Sequence, residues 1–199
     1  MSALWRGAEP LVLASSSEVR HRILQAAAIP HVVHPPDIDE RAVEQNAGLQ
    51  GPADAAQLLA RAKALAVNGT FVVGADQTLA LGNRRFTKPR SRDAARDQLR
   101  LLRGQVHELH CAIALAHDGK VVFDHRETAR LSMRAFSDEF LETYLDLAGS
   151  AVTRSVGAYQ IERAGVHLFD KIEGDYYAIL GLPLLPLLHG LRQQKLLAP

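Results

Sequence analysis

The sequence predicts an α/β fold: a mixed, twisted sheet flanked by helices. Two observations predict it. In the first half, short apolar runs suited to strands alternate with segments whose apolar residues recur at helical spacing, the pattern of βαβ units. In the second half, two long strand-like runs face each other across Asp118-Gly119, a turn signal that makes an antiparallel hairpin and so a mixed sheet. No Pro-, Gly- or Ser-rich linker separates independent domains. The 199 residues therefore form a single domain, large enough for two closely joined lobes.

Leu11–Ala14 reads as a short buried strand. Ser15-Ser16-Ser17 leads into a helix over Glu18–Ala28, with Ile23, Leu24 and Ala27 on one face, which Ile29-Pro30 ends. His31–Val33 is a second strand, and Pro35-Pro36 breaks the chain before Asp37-Ile38-Asp39-Glu40. A helix fits Asp54–Val67, with Leu58, Leu59, Ala62, Leu65 and Ala66 inward, and Asn68-Gly69 stops it. Phe71–Leu81 is the next strand, closed by a Gly82-Asn83 turn. Ser91 is the N-cap of a helix ending at Gly104, with Leu99, Leu101 and Leu102 available for the core. Leu109–Ala116 and Lys120–Arg134 make the long hairpin, and Ser137 caps a helix ending near Gly149. Gly157–Ile172 reads as two strands around Ala164-Gly165, and Pro183–Leu191 starts a final helix.

Composition narrows the functional classes. Hydrophobic residues make up 47% and charged residues 23%, as in ordinary globular proteins. Twenty-three basic against 22 acidic side chains leave a net charge of +1, too little for a bulk nucleic-acid binder. The single cysteine, Cys111, permits no intrachain disulfide and suits a reducing cytoplasm; its apolar surroundings suggest inert burial. Met1–Pro10 lacks the apolar core of a signal peptide. The longest apolar stretch, Ala178–Leu188, is too short for a membrane span.

Five sets of residues carry chemistry. The strongest is Phe71–Leu81, a strand-forming run with Asp76 set in its middle. An ionised carboxylate there costs several kcal/mol unless paired, so Asp76 is either held by a structural partner or stands at a strand end facing a site. In Ser15-Ser16-Ser17-Glu18-Val19-Arg20, a strand delivers hydroxyls to a helix start. Free N–H groups and the helix dipole favour an anion there, and Arg20 has the donors to clamp a phosphate bidentately. Plain N-capping by Ser17 with solvated basic residues explains the same pattern. Asp37-Ile38-Asp39-Glu40 offers carboxylates on a stiff turn, either a Mg²⁺ site or an acidic surface loop. Lys63 and Lys88, the latter before Pro89 on extended backbone, neutralise a polyphosphate or are simply solvated. Glu173-Gly174-Asp175-Tyr176-Tyr177 and Gly181-Leu182-Pro183 allow close backbone approach, with tyrosines for a base or for the core. Covalent-catalysis motifs are missing: there is no Gly-x-Ser-x-Gly, no Walker A loop and no His-Glu-x-x-His. The nine histidines show no metal-ligand spacing, and His107 and His110 read as structural.

Together these segments resemble the Maf family of nucleoside triphosphate pyrophosphatases, from Leu11 to about Leu191. The family's Ala-Ser-x-Ser-Pro-Arg-Arg matches Ala14-Ser15-Ser16-Ser17-Glu18-Val19-Arg20. Its acidic segment matches Asp39-Glu40, its helical Lys matches Lys63, its Gly-Ala-Asp matches Gly74-Ala75-Asp76, and its Lys-Pro matches Lys88-Pro89. Gly104, His107, Gly157-Ala158-Tyr159, Ile172–Tyr176 and Gly181-Leu182-Pro183 complete the match. The resemblance implies a two-lobed, ITPase-like fold with a cleft, and cleavage of a nucleoside triphosphate to monophosphate and pyrophosphate. It also implies a divalent cation, Mg²⁺ or Mn²⁺. Asp76 would be the general base. Glu40 and Asp76 would hold the metal, and Ser15, Ser17, Arg20, Lys63 and Lys88 would bind phosphate oxygens. It further implies a homodimer, while the charge and hydropathy above argue against nucleic-acid and membrane partners and the cysteine usage suits the cytoplasm. A role as a nucleotide-binding regulator of septum formation, with little catalysis, is also attached to the family.

Three positions bear on the base. The branch acting on dTTP and UTP carries Arg, Thr and Gln where this chain has Val19, Gln77 and Glu162. The branch acting on 7-methyl-GTP carries Trp, Gln and Glu there. Two of the three positions therefore match the methylated-guanine branch, while Val19 supplies no stacking ring. Thr87 before Lys88 and Ser155 before Val156 depart from the family's Gly and Lys.

Overall fold

A computed structural model describes residues 4–45, 47–48 and 51–198. The chain begins β1 (Leu11–Ala14), α1 (Glu18–Ala26), β2 (His31–Val33), α2 (Glu40–Gln45), α3 (Pro52–Leu65) and β3 (Phe71–Leu81). It continues β4 (Arg84–Phe86), α4 (Arg92–Leu102), β5 (Val106–His117), β6 (Lys120–Met133) and α5 (Asp138–Ala148). After a run of 3₁₀ turns it ends with β7 (Phe169–Glu173), α6 (Tyr176–Ile179) and α7 (Leu184–Gln193). Among the described residues the seven strands form one mixed sheet in the order β2-β1-β3-β5-β6-β7, with β4 on β3. β1 is parallel to β2 and β3, whereas β4 and β7 are antiparallel to their partners. The mixed α/β architecture is as expected, and no described helix is long and apolar enough to cross a membrane.

The chain divides into two compact units. The first contains the described residues up to Gln77, Cys111–Glu127, and those from Asp175 onward. Here the sheet has helices on both faces. Ile23 and Leu24 of α1 and Leu184, Leu187 and Leu191 of α7 bury against Leu11, Leu13, Val73, Ala75, Ile113 and Leu115. Each fully buried leucine contributes about 1.5–3 kcal/mol. On the other face Ala56, Ala60 and Ala64 of α3 lie on Val12, Ala14, Val72, Ala112, Ala114 and Ala116.

The inward face of α3 differs from the expected one: Leu65 is exposed, and Ala55, Ala56, Leu59, Ala60, Lys63 and Ala64 are buried. The reason is steric. A Cβ on Gly74 of β3 would lie 2.2 Å from the Ala60 carbonyl oxygen and 2.5 Å from the Ala64 nitrogen. Backbone meets backbone at that point, which only a small-residue stripe permits. Side chains alternate along β3. Val73 and Ala75 enter the leucine-rich layer, so Gly74 and Asp76 face α3.

The second unit contains Thr78–His110 and Thr128–Gly174. Ser91 and Ser137 cap α4 and α5 as expected, each accepting from the third residue on. Glu142 of α5 accepts from Arg92 and Arg96 of α4, and Asp146 pairs with Arg92 at 2.6 Å. Hydrogen bonds from Arg96 and then Arg92 hold the Glu142 carboxyl down at about 2. His107 is fully buried, with Nε2 2.7 Å from the Tyr159 hydroxyl, a structural placement as expected. Burial pushes it down to about 4.

Two strands were expected over 157–172, but the structure has only one, β7. Gly157 and Ala158 take φ of +77° and +63°, which no strand accommodates, and the chain turns through 3₁₀ segments to Leu168. Two short helices were also unexpected. Asp39 caps α2 by accepting from the Arg41 and Ala42 amides, and Asp175 caps α6 by accepting from the Ala178 amide.

Two outcomes follow from this packing. Gly74→Ala forces α3 off β3 and is expected to cost about 1–3 kcal/mol, read as a lower urea midpoint; an unchanged midpoint would refute the close approach. For His107, the folded value near 4 lies below the unfolded 6.5, so the folded state binds fewer protons between these limits. The His107 contribution to stability is then level above about pH 6.5 and falls by about 3 kcal/mol as pH drops to 4. Urea unfolding of His107→Leu should be flatter over that range; an equally steep profile would contradict the assignment.

Candidate active site

The parallel register pairs Ala14 with Gly74, so the loop after β1 and the second half of β3 lie side by side at the carboxyl ends of parallel strands. Open α/β sheets commonly place polar sites there. Asp76 stands in β3 facing α3, and Lys63 rises from α3 to meet it. The Lys63 ammonium donates to Asp76 Oδ1 at 2.5 Å and lies 2.7 Å from Glu40 Oε1, at the first turn of α2. Lys63 and Asp76 are 8% and 7% exposed, whereas the Glu40 side chain is about half exposed. One buried ammonium thus balances two carboxylates, and Asp76 keeps a narrow access to solvent. Of the acidic segment, Glu40 reaches this cluster, while Asp39 is spent on the α2 cap.

Ser17 caps α1, its hydroxyl oxygen accepting from the Arg20 amide at 3.4 Å. The Ser15 oxygen accepts from the Ser17 amide and from Arg20 Nη1 at 3.0 Å. Arg20 is otherwise committed to backbone: Nη1 also donates to the Ala75 carbonyl at 2.9 Å, and Nε to the Gly181 carbonyl at 2.7 Å. Of its three nitrogens only Nη2 has no bond of this kind, so the bidentate phosphate clamp anticipated for Arg20 has no free fork in this arrangement. These carbonyl partners leave no trace in a sequence, because every residue has one.

Gln77 follows Asp76 on the opposite face. Its Nε2 donates to the Ala178 and Ile179 carbonyls at 2.9 and 3.0 Å. Carbonyls only accept, so the amide orientation is fixed and Oε1 is left as an acceptor. Val19 packs against the leucine-rich core and is not presented as a stacking surface. Lys88 and Glu162 belong to the second unit. Lys88 is exposed after β4, and one Glu162 carboxylate oxygen is buried with no hydrogen-bond partner. Cys111 is buried and its thiol is pushed up to about 12, chiefly by desolvation, so it is no nucleophile.

Among the described residues no group of three or more His, Cys, Asp or Glu is arranged to hold a metal. Asp76 and Glu40 nonetheless share one cation, the Lys63 ammonium. Mg²⁺ is commonly held by one or two carboxylates completed by substrate phosphates and water. This donor set fits such a cation.

The parallel strands, the hydroxyl-rich helix start and the buried Lys-carboxylate cluster define an α/β protein with a polar site at its strand ends. Residues 10–194 match the family model of the Maf-like protein, and the chain belongs to that family. It is 55% identical over 199 residues to the nucleoside triphosphate pyrophosphatase of Rhodopseudomonas palustris (strain BisB18), covering 98% of each chain. It is 53% identical, at the same coverage, to the protein of that name from Bradyrhizobium diazoefficiens. It is 47% identical to the 7-methyl-GTP pyrophosphatase of Brucella abortus biovar 1 (strain 9-941), over 93% of this chain and 96% of that one.

The buried cluster is testable by stability alone. Lys63→Met strands two carboxylates and is expected to cost about 3 kcal/mol or more in urea unfolding. Adding Asp76→Asn should recover much of that loss. Additive losses in the double variant would show that the pair is not coupled.

Proposed function

We propose that this chain hydrolyses nucleoside triphosphates between the α and β phosphorus atoms, giving a nucleoside monophosphate and pyrophosphate. The observation that carries the reading is Asp76, a carboxylate all but buried at the strand ends and held by Lys63, in a chain whose near relatives are named for that reaction. Asp76 positions a water and takes its proton as the oxygen attacks the α-phosphorus. The bond from that phosphorus to the bridging oxygen breaks, and the bridging oxygen leaves with pyrophosphate. The proton on Asp76 returns to solvent. The hydroxyls of Ser15 and Ser17 retain their own O–H groups for phosphate oxygens. Lys63 stands ready to move from the carboxylates towards the triphosphate, and Lys88 supplies a further positive charge. Asp76 and Glu40 would hold a divalent cation, which would neutralise charge at the phosphates.

For the base, the reading favoured is a 7-methyl-GTP-type substrate. Gln77 presents only an acceptor, and Glu162 holds a carboxylate oxygen without a partner. Acceptors suit the N–H edge of guanine, and the Glu162 charge suits a cationic methylated ring. The name of the Brucella relative supports the same choice.

The test is pyrophosphate release from GTP, 7-methyl-GTP, dTTP and UTP, with Mg²⁺, Mn²⁺ or chelator. Release is expected with metal and lost with chelator, with 7-methyl-GTP ahead of dTTP and UTP. Asp76→Asn should fall by about two to four orders of magnitude. Near wild-type turnover in folded Asp76→Asn would remove Asp76 from the role of base. Nucleotide binding without release from any triphosphate would favour a regulatory role instead.

A further inference from the structure

The two residues that flank Asp76 are both tied to one short segment. Gln77 donates from Nε2 to the Ala178 and Ile179 carbonyls of α6. Ala75 reaches the same segment through Arg20, whose Nη1 donates to the Ala75 carbonyl and whose Nε donates to the Gly181 carbonyl, just after α6. The second Nη1 bond, to Ser15, adds the loop that starts α1. Asp76 itself points the other way, to Lys63. Its backbone is therefore fastened on one face by Arg20 and Gln77 and its carboxylate on the other by Lys63.

We propose that Arg20 is a positioning residue for Asp76, acting through the Ala75 and Gly181 carbonyls, and not a phosphate clamp. The geometry demands a guanidinium. Two nitrogens on one rigid plane meet three acceptors on three separate segments, which the single nitrogen of a lysine cannot span. The turn at Gly181 is shaped around it: φ is +98°, and a Cβ there would lie 3.4 Å from both Nε and Nη2. With Nε and Nη1 spent, no two-nitrogen edge remains for bidentate phosphate recognition. Losing the bridge frees the strand that carries the base. A misplacement of about 1 Å at a reacting group is worth on the order of a hundredfold in rate.

The inference rests on the proposed hydrolysis, and its test has one arm that does not. Steady-state kinetics with GTP and 7-methyl-GTP would be run on wild type, Arg20→Lys and Arg20→Ala, alongside amide hydrogen exchange of each full-length protein without nucleotide. A positioning role predicts that both variants lose kcat by about a hundredfold while KM stays within about threefold. Exchange at residues 176–182 should speed up about tenfold or more, and added guanidinium ion should restore part of kcat to Arg20→Ala. A KM raised about tenfold with kcat little changed would overturn the proposal in favour of a phosphate clamp. Wild-type kcat in Arg20→Lys, or unchanged exchange at 176–182 in both variants, would overturn it as well. If Arg20→Ala does not fold, Arg20→Lys carries both arms. If wild type hydrolyses no triphosphate, the hydrolysis reading fails, and the exchange arm still decides whether Arg20 holds the segment.

Discussion

The backbone contact between α3 and β3 at Gly74 is the constraint from which the site follows. A side chain at Gly74 would collide with the Ala60 carbonyl and the Ala64 amide. Its absence lets the alanine stripe of α3 lie directly on the sheet. At that distance Lys63, the polar residue on the buried face of the helix, meets Asp76, the next α3-facing position of the strand. Burial makes each charge costly alone and strong together, so helix, strand and ion pair fix one another's positions. The small residues of α3 thus serve the site as much as the core.

Asp76 has its two faces managed by different chemistry. On one, a mobile-headed ammonium shares itself with Glu40, a partner half open to solvent. Such an arrangement lets the Lys63 ammonium change partners, because Glu40 gives up little on moving. On the other face, rigid planar donors, the Arg20 guanidinium and the Gln77 amide, grip backbone carbonyls of β3, of α6 and of the turn after it. The strand is held firmly while the charges above it stay exchangeable.

Much of this was legible in the sequence where a local rule governs. The serine caps of α1, α4 and α5 and the Asp118-Gly119 hairpin depend on nearest neighbours, and the elements stand where those rules place them. The 157–172 segment reads as two strands because its residues suit them, but Gly157 and Ala158 take positive φ and the chain turns through 3₁₀ segments. The inward face of α3 was misjudged by favouring leucines over alanines, since the deciding partner, Gly74, lies in another element. The family resemblance pairs Asp76 with Glu40 as metal holders but places Lys63 only among phosphate-binding residues, whereas the structure sets Lys63 between the two carboxylates. Their convergence, and the backbone partners of Arg20 and Gln77, exist only in three dimensions.

The central claim of the proposed reaction is that water attacks the α-phosphorus. The most direct test is hydrolysis of GTP or 7-methyl-GTP in water enriched in heavy oxygen, with the products weighed by mass spectrometry. Attack at the α-phosphorus places the heavy atom in the nucleoside monophosphate and leaves pyrophosphate unlabelled. Label in pyrophosphate would mean attack at the β-phosphorus and would contradict the account.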